Sequence, residues 1–158
     1  MRALLSVADR KGLAEFARSL LGLGVELFAT EGTRESLAAD GIEVRPIEDL
    51  TGTPSLAGGQ VRTFHPQIYA GILARRDRPE QMAELTEHGL APIDLVIVNV
   101  RPFAPQVGSQ IVGLHEAVEM IDVGGLALLS AAARNFAGVA AVCSAEYYGP
   151  VLADLRER

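Results

Sequence analysis

Thr30-Glu31-Gly32-Thr33 follows the apolar run Val25-Glu26-Leu27-Phe28-Ala29 and precedes a helical pattern from Arg34 to Ala39. Hydroxyl, glycine and hydroxyl at a strand-to-helix junction suit an anion. Glycine allows close backbone approach, helix N–H groups point outward, and the helix dipole favours negative charge. A phosphorylated ligand is therefore the first expectation, set against the plainer reading that Thr33 only caps the helix. Other chemistry-bearing residues stand at further junctions. Ser6 and Arg10 flank the turn after an N-terminal apolar run, and Asn99 ends the run DLVIVNV. Asp122 precedes the pair Gly124-Gly125, and Thr63 and His65 lie in a stretch rich in Gly, Pro, Thr and Ser.

The elements that must hold these groups can be read from periodicity. Ala3–Val7, 25–29, 42–44, 94–100 and 139–143 read as short buried strands. Helical spacing recurs over 13–21, 34–40, 79–88, 126–134 and 146–156. Residues 48–67 show no clean period, and a segment of that kind inside a compact domain is usually functional. Alternating strands and helices predict an α/β fold, a three-layer α/β/α sandwich with a mainly parallel sheet. Its ligand site is expected beyond the carboxyl ends of the strands.

Composition narrows the class. A chain of 158 residues with 49% hydrophobic and 22% charged residues is one globular domain spanning 1–158. A net charge of −6 argues against a general nucleic-acid surface. No apolar run is long enough for a membrane span, and the strand-like start leaves no room for a signal peptide, so a cytoplasmic location is expected. The single cysteine, Cys143, excludes an internal disulfide and reads as a buried thiol. Lys11 is the only lysine among 14 basic residues, a bias that bears on arginines found where a lysine is expected.

The motifs LLSVADRKGL (4–13), ATEGT (29–33), GGQVRTFHPQIYAGILARRD (58–77), PIDLVIVNVRPF (92–103) and IDVGGLALLSAAARN (121–135) occur in this order. Together they resemble the IMP cyclohydrolase domain of the bifunctional AICAR transformylase/IMP cyclohydrolases of purine synthesis, over nearly the whole chain. The resemblance implies a methylglyoxal-synthase-like fold, a stand-alone domain without the formyl-transferring one, and a homodimer. It also implies closure of the purine ring of FAICAR to IMP with loss of water, using no metal and no organic cofactor. The implied partner is a phosphorylated purine or imidazole ribonucleotide, with neither nucleic acid nor membrane involved. Ser6, Arg10, Thr30, Gly32, Thr33, Thr63, Asn99, Gly124 and Gly125 are the implied substrate-binding residues. Arg62, Arg101, Asp122 and Arg134 occupy the positions of the chemistry, with His65 as a candidate proton carrier.

The departures from the resembled motifs are specific. Ala8, Arg10 and Glu31 stand where those motifs have serine, lysine and glycine. Gln60 replaces an arginine, Arg62 and Arg134 replace lysines, and Arg101 replaces a tyrosine; only Asp122 is kept among the four chemistry positions. A guanidinium stabilises an oxyanion but exchanges no proton near neutral pH. The pattern therefore points to a shifted substrate or mechanism. Three functions compete: closure of FAICAR, the same reaction type on another ribonucleotide in a specialised pathway, and a non-catalytic nucleotide sensor.

Plainer readings stand beside several residues. His65 could brace its loop, and Asp122 could cap the helix at the glycine pair. Asn99 is expected to bond a base or amide. His88 and His115 read as surface, and Arg75-Arg76-Asp77-Arg78 as a solvated turn. Among Tyr69, Tyr147 and Tyr148, Tyr69 is the best candidate for a replacement phenol because it follows the Thr63–Pro66 motif.

Overall fold

The computed structural model describes residues 1–100, 103 and 113–157. Arg2–Val7 (β1) runs into the centre of a five-stranded sheet because its alternate side chains are apolar on both faces. The helix Leu13–Gly22 (α1) follows and leads to Glu26–Ala29 (β2), and Glu31–Ala39 (α2) leads to Arg45–Pro46 (β3). Glu48–Thr51 (α3), Pro66–Leu73 (α4) and Pro79–Glu87 (α5) precede Leu95–Asn99 (β4). Leu114–Glu119 (α6) and Gly124–Arg134 (α7) come before Ala140–Val142 (β5), and Tyr148–Arg156 (α8) closes the described chain.

The sheet order is β3-β2-β1-β4-β5, and every pairing is parallel. One face packs Ala3, Leu5, Leu27 and Ile97 against Phe16 and Leu20 of α1, Leu37 of α2 and Tyr148 of α8. The opposite face packs Leu4, Val96 and Val98 against Ile68 and Ile72 of α4 and Leu128 of α7. Each such fully buried side chain contributes about 1.5–3 kcal/mol of transfer free energy. The expected three-layer arrangement is the one observed. No described helix is long and apolar enough to cross a membrane.

The strand order reverses between β1 and β4, which makes the mouth of these strands the natural crevice for a ligand. Asn99 spans that point. Its Oδ1 accepts the N–H groups of Ala8 (2.6 Å) and Asp9 (2.8 Å), and its Nδ2 donates to the Asp9 carbonyl (2.9 Å). The turn after β1 is thereby fastened to the end of β4.

Several expectations need correction. The third strand is Arg45–Pro46, not 42–44, because the chain leaves α2 through Gly41 at φ 71° and buries Ile42 in the core first. Proline suits this edge position, where a missing N–H disturbs no further pairing. The helix α2 begins at Glu31, three residues before the expected Arg34, with Thr30 rather than Thr33 at the capping position. Three helices add to those expected, α3, α4 and α6. Cys143 is exposed, since it lies just past the short β5 and outside the core.

Candidate functional site

Beyond the carboxyl ends of β1 and β2 lies a cavity of about 580 Å³. Ser6 ends one wall and Thr30 another; Arg62, Thr63, Asp122 and the glycine pair complete it. These residues come from four separate stretches of sequence, and parallel crossovers bring them to one crevice.

The β2–α2 junction is built from hydroxyls. Thr33 is buried, with 3% of its surface exposed, and its Oγ1 accepts the Val7 N–H at 2.9 Å, tying the start of α2 to the end of β1. Thr30 makes no side-chain capping bond; its hydroxyl lies 3.3 Å from Thr33 Oγ1 and donates to Ser6 Oγ at 3.5 Å. First-turn N–H groups of α2 have no intrahelical acceptor and lie beside these oxygens. Arg10 reaches over from the β1 turn, its Nη2 donating to the Gly32 carbonyl at 2.9 Å. A Cβ at position 32 would sit 3.6 Å from that same nitrogen, an ordinary contact, so the approach of Arg10 does not itself require glycine.

The opposite wall is set by Asp122. Its Oδ1 accepts the Gly125 N–H at 2.7 Å, which caps α7 from three residues upstream. A Cβ on Gly125 would fall 2.9 Å from that oxygen and 3.1 Å from Val100 Cγ1, and one on Gly124 would fall 3.1 Å from Thr63 Oγ1. The glycine pair is thus a packing requirement that lets the carboxylate and the Thr63 hydroxyl face the cavity together.

Arg62 lines the same space and lies against Gly59, whose backbone at φ 91° leaves no room for a side chain beneath the guanidinium. Its Nε is buried without a hydrogen-bond partner. Its Nη2 stands 4.0 Å from Glu31 Oε2 at the first residue of α2.

Other expected residues lie elsewhere or are already engaged. His65 is not in the lining; it occupies the capping position of α4, where its Nδ1 accepts the Gln67 N–H at 3.3 Å. Asn99 is committed to the β1 turn, so its part in the site is to shape the loop rather than to meet a base. Arg134 is exposed at the far end of α7, about 15 Å along the helix axis from Gly124 by helical rise. It borders a separate cavity with Arg75 and Phe136, because a helix carries its two ends to opposite edges of the sheet. Arg101 lies outside the described residues.

The phenols are also placed away from the cavity. Tyr69 stacks on Phe64, ring centroids 6.4 Å apart, and burial pushes its hydroxyl pKa up; Phe64 is in the lining and Tyr69 is not. Tyr148 stacks on Phe16 under the other sheet face, and Tyr147 is exposed. The Arg75–Arg78 turn is less solvated than expected, because Arg76 is half-buried and donates to the carbonyls of Ala74 and Ile93 at 2.7 Å each. His88 and His115 are exposed, as expected. Sequence reasoning missed Val61, Val118, Ile121 and Val123, apolar residues in the cavity wall. Their signal, apolar side chains outside any core pattern, was present but not distinctive.

Comparison with known proteins places this geometry. A family model described as MGS-like domain matches residues 12–127. The chain is 48% identical over 157 residues to the bifunctional purine biosynthesis protein PurH of a Cyanothece strain, covering 99% of this chain and 30% of that protein. It is 49% identical over 156 residues to the PurH of Chloroflexus aurantiacus, again covering 99% of this chain and 30% of the relative. The chain therefore spans about a third of the length of these curated relatives. The crystal structure of ForH superposes with a TM-score of 0.84 at 37% identity, covering 99% of this chain and 80% of that one. With the sheet, the crevice at its switch point and the matched residues in agreement, the chain belongs to the family of MGS-like domains.

Proposed function

We propose that this domain catalyses a dehydrative ring closure of the IMP cyclohydrolase type, with FAICAR as substrate and IMP as product. The observation that carries the reading is the convergence of Ser6, Thr30, Arg62, Thr63, Asp122 and the glycine pair on one cavity. The substrate's 5′-phosphate sits at the start of α2, met by backbone N–H groups, the Thr30 hydroxyl and Arg10. Its heterocycle extends toward Asp122. The carboxamide nitrogen attacks the formyl carbon, forming the C–N bond while the formyl oxygen takes up charge. The Thr63 hydroxyl, on the Asp122 side of the cavity, donates to that oxygen. Arg62, 4.0 Å from Glu31 at the first turn of α2, is a fixed cation at the phosphate end and transfers no proton. Asp122 accepts the proton lost by the attacking nitrogen and returns it to the formyl oxygen; the formamido N–H gives up the second proton to the departing hydroxyl as the C–O bond breaks, the C=N bond forms and water leaves. Most of the acceleration comes from holding the two ends of one substrate in contact. No cofactor enters the scheme. As the resemblance implies, the working unit is a homodimer.

A second reading is favoured by Gln60. It lines the cavity at a position where the resembled motif carries an arginine, so the site is fitted to a related ribonucleotide and runs the same reaction on it. The test separates the two. Purified protein is mixed with FAICAR and the rise in purine absorbance is followed. A rate above the uncatalysed one supports the first reading. Binding of AICAR or purine monophosphates without turnover of FAICAR supports the second, and absence of both removes the enzymatic interpretation.

A further inference from the structure

Among the described residues, Glu31 at the anion-binding end of the cavity pairs with an arginine of its wall, Arg62. A carboxylate at the first turn of a helix is favoured by the dipole, yet here it occupies the electrostatic place a ligand phosphate would take. Its partner Arg62 is held from two directions. A Cβ on Gly59 would collide with the guanidinium, so only glycine leaves room for it there, and Glu31 Oε2 stands 4.0 Å from Nη2. The buried Nε has no partner, so the guanidinium is only partly satisfied in this arrangement. The pair is loose and wet: the Glu31 side chain is 60% exposed and that of Arg62 33%. Exposed pairs of this kind are cheap to break, and Glu31 can turn to solvent without leaving a buried charge behind.

We propose that Glu31 sets the affinity of this site for phosphate monoesters by holding Arg62 across the mouth of the cavity, as a latch that the phosphate displaces. This rests on the proposed placement of a nucleotide 5′-phosphate at the start of α2. A dianionic phosphate wins Arg62 from a single exposed carboxylate, whereas a neutral nucleoside has nothing to offer the guanidinium and leaves the pair closed. Glu31 thereby weakens phosphate binding and narrows the margin by which a monophosphate is preferred over a nucleoside.

The experiment is calorimetric titration of inosine 5′-monophosphate and of inosine into the wild-type chain, Glu31→Gln, Arg62→Gln and the double variant, at one fixed moderate ionic strength. Glu31→Gln is expected to tighten monophosphate binding about three- to fivefold and to leave inosine unchanged. Arg62→Gln is expected to weaken the monophosphate about tenfold or more, and the gain from Glu31→Gln disappears in its background, which is the signature of coupling between the two. If Glu31→Gln leaves affinity unchanged or lowers it while the wild type binds the monophosphate, the latch falls and the site assignment stands. A gain that persists without Arg62 also overturns the latch, since simple repulsion then suffices. If neither the wild type nor Glu31→Gln binds the monophosphate, the phosphate site and the latch fall together.

Discussion

A carboxylate that accepts a backbone N–H and faces a cavity can serve as a cap, a base or both, and Asp122 is in that position. Substitution separates the roles. Asp122→Asn keeps an oxygen for the Gly125 N–H, so its melting temperature should stay within about 2 °C of wild type. Its turnover should fall about 100-fold or more, because an amide does not accept the substrate's proton. Asp122→Ala should lose the cap as well, about 1 kcal/mol or 2–4 °C in a domain of this size. Paired melting curves and initial rates check both. Full turnover in Asp122→Asn would leave Asp122 only its structural task. The other matched residues divide along similar lines. Thr33 and Asn99 use their polar atoms to join the first two loops to each other and to β4, whereas Thr30, Thr63 and Arg62 turn polar atoms toward the cavity. Residue type in a motif foretold both groups alike; only the hydrogen-bond partners tell a brace from a contact.

Elements carry the same lesson at a larger scale. The central strand was legible because DLVIVNV is apolar throughout, as a strand covered on both faces must be, and α1 because Leu13, Phe16, Ala17 and Leu20 recur on one face and are all buried. The helix α4 was overlooked, although Pro66 at its first position and the Ile68–Ile72 spacing announce it, since the preceding Gly- and Pro-rich stretch masked the start. The cavity's place was readable from the segments after the strand ends. Arg134 was drawn into that site because a motif is linear, whereas α7 carries its start and its end to opposite edges of the sheet. The start of α7 is where packing is least forgiving. Gly125→Ala should place a methyl 2.9 Å from Asp122 Oδ1 and 3.1 Å from Val100 Cγ1, inside a buried contact. Such overpacking costs about 1–3 kcal/mol, read as a lower urea midpoint with the slope unchanged. Gly124→Ala meets only the Thr63 hydroxyl, so it should lower stability less while narrowing the cavity. Equal destabilisation by the two would remove the distinction between packing glycine and site glycine.

At the scale of the whole molecule, the two sheet faces are closed by different means, and each carries a phenol that makes it sensitive to alkali. Tyr148 at the start of α8 stacks on Phe16 of α1 with centroids 4.0 Å apart and planes 4° from parallel, fastening the last helix over the first. Burial, and secondarily the negative charge of Asp9, raises its phenol pKa above the ordinary tyrosine value. Asp9 belongs to the turn that Asn99 ties to β4, so the helix clasp and the mouth of the crevice share an electrostatic neighbour. Because the folded chain holds the phenolic proton more tightly than the unfolded chain, the contribution to stability is complete below about pH 10. It is lost as pH rises through the raised folded value. Tyr69 is shifted in the same direction by burial and acts with the same sign on the other face. Urea midpoints measured from pH 8 to pH 11 should therefore decline at the alkaline end. Tyr148→Phe should flatten part of that decline and leave the portion due to Tyr69, and Asp9→Asn should make the decline shallower, since without the repulsive charge the folded pKa moves back toward the unfolded one. A decline in Tyr148→Phe as steep as in the wild type would mean that the phenol titrates freely in the folded state, and the clasp would then rest on ring stacking alone.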